Sequence, residues 1–495
     1  MAPRTPKASK AAPESHSGGR RMLPTDASFW YAEELSPGLR STVGGLMLLN
    51  APPDEAKYRA ATEWAVKVTR RLREKVVDPP LRFMLPEWVE DEHMDLDYHL
   101  RREALPAPGD EETLFEMVSQ IMATPLDRAR PQWETYVFEG LKGGKGAILN
   151  KMHHSMVDGV GSLSLLDTFT EMSAKASRRL PPVPRVIRRE RGPRSFLVEV
   201  VDDGTEIARD VLETAGQAMG FAKEIMIHPM RTAEKAVSTA RGTIGLLQDL
   251  GKKKIPDPIA EGAAGLARRM DRMSVSIKDL RRVHDAIGAT INDLVLTALS
   301  GAVGRYHAKR GMPVETLRAM VPMNLRTDHD RDALGNRLGF LNINLPVGEE
   351  DPRRRLAIIQ QHTARAKGDR RGAMYPYLAR FITAMPTFVF RAVVASTAGN
   401  VNLICTNVPG TPKQRWIVGR KIEAIIPFAP ITEKVPLSVA LFSYVDRLDI
   451  GIATDPEAIP DHERFKGYLE DAFEEVLHLD GRGARSRRKT RARKA

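Results

Sequence analysis

Apolar positions along this chain change period several times, and the changes mark out its elements. Residues 44–50 (GGLMLLN) form an apolar run of strand length. After Pro53 the spacing turns helical, with Tyr58, Ala61, Trp64, Ala65 and Val68 falling at helix intervals. A further helix is expected over 112–122. Two strands follow, 133–138 and 147–152, separated by Gly140, Gly143, Gly144 and Gly146. The apolar run 160–172 reads as the next helix. Strands alternating with helices predict a layered α/β architecture.

The pattern then breaks. Residues 173–194 hold four prolines and a basic block, and 195–250 are mostly helical in period with few strand signals. These read as a linker followed by a helical insertion. A second α/β region begins near Ala267. Its helix 291–307 precedes strands 317–323 and 338–346, then helices 352–366 and 375–396. Strands are expected around 401–406, 415–426 and 436–445, the last pairing with 448–453, and a helix over 462–477 closes the fold. The expected organisation is a disordered arm (1–21), an N-terminal α/β domain (22–172), linker and insertion (173–266), a C-terminal α/β domain (267–480) and a disordered tail (481–495).

Composition narrows the function. The 495 residues exceed a single-domain length, and Cys405 is the only cysteine. That excludes an intrachain disulfide, a zinc finger and a CxxC redox pair, and it favours a reducing, cytoplasmic compartment. The net charge of +12 is concentrated at the ends. The arm carries Arg4, Lys7, Lys10, Arg20 and Arg21 against Glu14, and the tail carries eight basic residues with no acid. Together they account for the whole excess, so residues 22–480 are neutral overall. A nucleic-acid reader is therefore not expected. The stretch 392–412 is too polar to span a bilayer, so membrane contact would be peripheral.

Candidate chemistry centres on Met152-His153-His154-Ser155-Met156-Val157-Asp158-Gly159. It lies where the 147–152 strand runs toward a helix, at a strand end where scaffolds present reactive groups. A histidine there has the pKa range of a base at neutral pH.

HHxxxDG resembles the signature of acyltransferases that share the chloramphenicol acetyltransferase fold. The segment from Pro125 to Glu134 (PLDRARPQWE) is similar to the PLDxxRPLWE stretch of bacterial wax ester synthase/diacylglycerol acyltransferases. Asp95–Arg101 with Leu105–Gly109, Asn292-Asp293, Asn324-Leu325-Arg326, Gly335-Asn336 and Asn407-Val408-Pro409-Gly410 resemble further motifs of that family, in family order. Two positions depart from it. Gln132 stands where leucine is usual, and Thr411 follows NVPG where proline is usual.

The resemblance implies two chloramphenicol acetyltransferase-like mixed-sheet domains forming a pseudo-dimer with an interdomain channel, plus the helical insertion. It implies transfer of a fatty acyl group from acyl-CoA, as co-substrate, to diacylglycerol or a long-chain alcohol, with no cofactor and no metal. His154 would be the general base. Asp158 would fix the His154 loop, Gly159 would allow close approach, and His153 would orient its neighbour or line the entry. Asn292 and Asn324 are candidate oxyanion donors or caps, and Asp293 and Arg326 candidate supports of the interdomain cleft. Trp133 is a strand aromatic, in the core or on the channel wall. Greasy substrates would be exchanged at an anionic inner-membrane or lipid-droplet surface, with the basic segments docking there. The alternatives are a condensation-type or other CoA-dependent transferase with a different acceptor, or an impaired lipid-binding homologue.

Overall fold

The computed structural model describes residues 20–79, 85–156, 161–174, 255–263, 265–324, 338–368 and 400–481. Nearly all of the expected linker and insertion lies outside these residues, as do the expected 375–396 helix, Asp158, Gly159 and Arg326.

Fifteen strands are described. In chain order they are β1 (Arg20–Arg21), β2 (Thr42–Leu49), β3 (Glu74–Val77), β4 (Glu87–Glu90), β5 (Leu100–Ala104), β6 (Trp133–Leu141), β7 (Lys145–His153), β8 (Arg269–Ser276), β9 (Leu317–Asn324), β10 (Leu338–Leu345), β11 (Leu403–Thr411), β12 (Trp416–Ile417), β13 (Arg420–Phe428), β14 (Leu437–Tyr444) and β15 (Arg447–Thr454). They build two six-stranded mixed sheets, ordered β12-β13-β2-β7-β6-β5 and β10-β9-β11-β14-β15-β8, and a small antiparallel sheet β1-β4-β3. Arg20 and Arg21, expected in the disordered arm, thus pair with Trp88 and Glu87.

In the first sheet, β2 separates two packing layers by alternation. Leu46 and Leu48 face the helix Glu111–Ala123, which presents Leu114, Phe115, Val118 and Met122 at helical spacing. Asp110 caps that helix by accepting from the Thr113 backbone N–H at 3.1 Å. Met47 and Leu49 face the other way, toward Phe442 and Tyr444 of the second sheet. Each large apolar side chain so buried contributes about 1.5–3 kcal/mol.

The second sheet packs on the helix Ile291–Lys309, which is buried nearly all round between the strands and the helices Pro352–Gly368 and His462–Leu477. Its start carries a capping box: Thr290 Oγ1 accepts from the Asp293 N–H, and Asp293 Oδ2 accepts from the Thr290 N–H.

One expected element divides. The 415–426 run is two strands, because Val418 and Gly419 take positive φ (42° and 81°) and turn the chain into a hairpin. Its longer arm, β13, then leaves its neighbours in sequence and pairs antiparallel with β2 in the first sheet. Asp449 on β15 anchors it from the other side, accepting from the Ile425 N–H at 3.0 Å. Burial raises the Asp449 carboxyl above its ordinary range.

Candidate active site

Strand β7 ends at His153, and the turn that follows is closed by hydrogen bonds from the His154 N–H to Ser41 O (2.7 Å) and the Met156 N–H to His153 O (3.0 Å). Neighbouring residues at a strand end face opposite sides of the sheet. The two histidines therefore enter different environments.

His153 is buried, at 1% exposure. The Ser155 N–H donates to its Nδ1 at 3.2 Å, and Ser155 Oγ lies 2.7 Å from the same nitrogen. Its Nε2 lies 3.0 Å from Glu33 Oε2. The Trp30 ring meets the imidazole edge-on, with centroids 5.6 Å apart. Burial works against the charge of Glu33. The His153 hydrogen bond and charge, with Arg128 and Arg40, outweigh it and hold the carboxyl below its usual range.

His154 is half-buried and stacks on Phe29, with centroids 4.4 Å apart and planes 13° from parallel. It lines an apolar cavity of ≈ 200 Å³ between the two sheets. Val43, Trp133 and Met152 form the wall nearest to it, while Val408, Ala440 and Phe442 close the cavity from the second sheet.

Trp133 is both core and wall. It is 3% exposed, its Nε1 donates to Leu72 O at 2.8 Å, and its ring stacks on His99. His99 Nδ1 lies 2.6 Å from Trp133 O and donates to it. Burial depresses the His99 pKa, against the opposing pull of that hydrogen bond. Gln132, the departure from the family pattern, closes the loop before Trp133. Its Nε2 donates to Asp127 O and Arg130 O, both at 2.7 Å. An amide there ties the turn in a way leucine would not.

The ND and NVPG segments meet each other at a pair of asparagines. Asn407 Nδ2 donates to Asn292 Oδ1 at 2.6 Å, and neither residue lines the cavity. Asp293 Oδ1 accepts from Thr363 Oγ1 at 2.9 Å, so its hydrogen bonds stay within the C-terminal half rather than crossing the cleft. Asn324 ends β9 opposite Leu338. Gly410 passes so close to β14 that a Cβ would sit 1.8 Å from Ser443 O, and its N–H donates to Ser443 Oγ at 2.8 Å. Thr411 follows the register shift there and accepts from the Lys413 N–H through Oγ1.

Glu33, Phe29, Ser41 and Ser155 were not singled out by the sequence. Only Ser155 carries a signal, as a variable position inside HHxxxDG. Cys405 is buried on β11, and burial pushes its thiol up to about 12, which removes it as a nucleophile at neutral pH. Among the described residues no group of three or more His, Cys, Asp or Glu side chains is placed to hold a metal, and no single helix is long and apolar enough to cross a membrane.

The model of the wax ester synthase/diacylglycerol acyltransferase catalytic domain matches residues 22–295, and that of the family's C-terminal domain matches residues 334–477. The Mycobacterium tuberculosis protein described as "Probable diacyglycerol O-acyltransferase tgs1" is 29% identical over 472 residues, covering 94% of this chain and 97% of its own. The wax ester synthase/diacylglycerol acyltransferase from Marinobacter aquaeolei VT8 superposes with a TM-score of 0.63 at 25% identity, over 93% of this chain and 100% of that one. The first condensation domain of the calcium-dependent antibiotic synthetase has a TM-score of 0.64 at 15% identity, over 94% and 97% of the two chains, and shares the fold. The chain belongs to the wax ester synthase/diacylglycerol acyltransferase family.

Proposed function

We propose that this acyltransferase moves a fatty acyl group from acyl-CoA to the hydroxyl of diacylglycerol or a long-chain alcohol, with His154 as general base. One observation carries the reading: of the two adjacent histidines, His154 alone lines the apolar cavity, while His153 is engaged with Glu33 and Ser155. His154 takes the proton from the alcohol as its oxygen bonds to the thioester carbonyl carbon. The resulting tetrahedral oxyanion collapses, the C–S bond breaks, and the CoA sulfur leaves as thiolate and recovers the proton. Base catalysis of this kind is worth about 10²- to 10⁴-fold. The apolar wall suits both chains and keeps water from competing for the thioester.

The basic segments 1–21, 173–194 and 481–495 support peripheral docking on an anionic lipid surface, each Lys or Arg near it adding about 1 kcal/mol. The test of the chemistry is radiolabelled palmitoyl-CoA with dioleoylglycerol or hexadecanol, and His154→Ala in parallel. Triacylglycerol or wax ester made by the wild type and lost in the variant is expected. Full product from the variant would end the assignment of His154.

A further inference from the structure

Strand β2 carries two consecutive glycines in different surroundings. A Cβ on Gly44 would meet the Met122 sulfur at 2.9 Å and the methyl carbon at 3.0 Å, the end of a side chain from the helix Glu111–Ala123. A Cβ on Gly45 meets no atom of the described residues within 4 Å. Gly45 does not take a positive φ either. Neither a turn nor a close backbone approach accounts for a glycine here.

Alternation along the strand puts position 45 on the same face as Val43 and Met47. All three line the cavity beside His154. The side chain that Gly45 lacks is therefore missing from the cavity wall. In the ladder, Gly45 sits between Asn150 of β7 and Pro427 of β13. Asn150 is half-buried, and its Oδ1 accepts from Thr135 Oγ1 at 2.9 Å. That pairing satisfies a polar pair that would otherwise interrupt a hydrocarbon-lined wall.

The rung is four residues before His154 on β7, roughly 14 Å along the strand. The next rung, Met47 with Ile148 and Ile425, is fully buried and lies roughly 20 Å from His154. A bilayer core about 30 Å thick holds two acyl chains end to end, so one chain spans roughly 15 Å. An aliphatic chain that reacts at His154 and runs down the cavity brings its last carbons to Gly45. A chain of half that length never reaches it.

We propose that Gly45 sets the longest aliphatic chain this site accepts, by leaving open the stretch of wall that the terminal carbons of a long chain occupy. The assignment rests on the acyl-transfer reading for its substrate class. The chain belongs to the acyl donor or to the alcohol acceptor, and the two sources separate by experiment. Full-length Gly45→Leu is assayed with acyl-CoA donors from hexanoyl to stearoyl and one short alcohol. It is then assayed with alcohols over the same range and octanoyl-CoA. The expected result is that the octanoyl rate is kept while the rate with the long chain falls by at least about tenfold, the scale of losing space for one or more methylenes. A cutoff in the donor series assigns the slot to the acyl chain, and one in the acceptor series assigns it to the alcohol. Length profiles unchanged from wild type in both series overturn the proposal. Gly45→Ala, a smaller intrusion, shifts the cutoff less and carries the test should the leucine variant fail to fold.

Displacement of a fluorescent fatty acid by saturated acids of increasing length reads the same slot without turnover. Loss of long-chain affinity in Gly45→Leu, with no transfer by the wild type, keeps the slot and removes the transferase reading. Transfer by both proteins with identical length profiles does the reverse.

Discussion

The unlike surroundings of His153 and His154 predict that removing each will damage a different property. His153→Ala deletes a hydrogen bond with Ser155, worth about 1 kcal/mol. It deletes an edge-on contact with Trp30, worth about 0.5–1.5 kcal/mol. It also strands the Glu33 carboxylate, whose side chain is only 15% exposed, at a cost of about 1–3 kcal/mol. We expect a loss of about 4 kcal/mol in all. The two domains over 22–172 and 267–480, unfolding with about 2.1 cal/mol/K per residue, have an entropy of about 0.8 kcal/mol/K, so Tm falls by about 5 °C. His154→Ala removes the ring that lines the cavity, so transfer falls by about 10²- to 10⁴-fold. Scanning calorimetry of both variants, alongside their transfer rates, checks the asymmetry. Glu33→Gln completes a cycle with His153→Ala, in which coupling of about 1 kcal/mol or more is expected. The pH dependence follows from the depressed Glu33 pKa. Its contribution is complete above the ordinary carboxylate range and is lost as pH falls through the depressed folded value. A His154 variant with full turnover would refute the division of roles. So would a His153 variant of full stability with no turnover.

His99 has a folded pKa below its unfolded value, because burial disfavours the imidazolium. The unfolded chain therefore binds more protons between the depressed value and about 6.5, so stability rises with pH across that window and is complete above it. Melting curves of wild type and His99→Gln from pH 5 to 8 are expected to converge as pH falls, and a wider gap at low pH would contradict the assignment. Asp293→Ala removes the capping box and the tie to Thr363, and urea unfolding is expected to register a loss of about 1–2 kcal/mol. Unchanged stability with lost turnover would instead place Asp293 among the reacting groups.

Elements whose burial follows a local period were legible in the chain. The 462–477 helix matches His462–Leu477, and the 317–323 strand matches Leu317–Asn324 to one residue. The strand before the histidines was also legible, since Ala147, Ile148 and Leu149 are buried whatever their partners. Partner choice was not. Nothing in the apolar run of β13 says that it hydrogen-bonds to β2 rather than to a neighbour in sequence, because side-chain alternation specifies a face and not a mate. The split of 415–426 hung on φ at Val418 and Gly419, and valine at a positive φ carries no turn signal. At the candidate site, the turn at the strand end was legible from the run of apolar residues before the His-His motif. The separation of the two rings depended on Glu33 and Phe29, which sit on a helix with no pattern linking it to the motif.

The passage of β13 into the first sheet also bears on how the protein is made. Lys421 on that strand donates to Asn50 Oδ1 across 371 positions of sequence. A ribosome adding about 5–20 residues per second needs roughly 20 to 75 s to cover that interval. Throughout it, β2 stands as an open edge, with unpaired amides and the apolar side chains of Met47 and Leu49 uncovered by their later partners. The strand that completes the first sheet, and with it one wall of the cavity, leaves the ribosome after every other strand of that sheet. The nascent chain is thus open to edge-to-edge association at a strand that the finished sheet encloses on both sides.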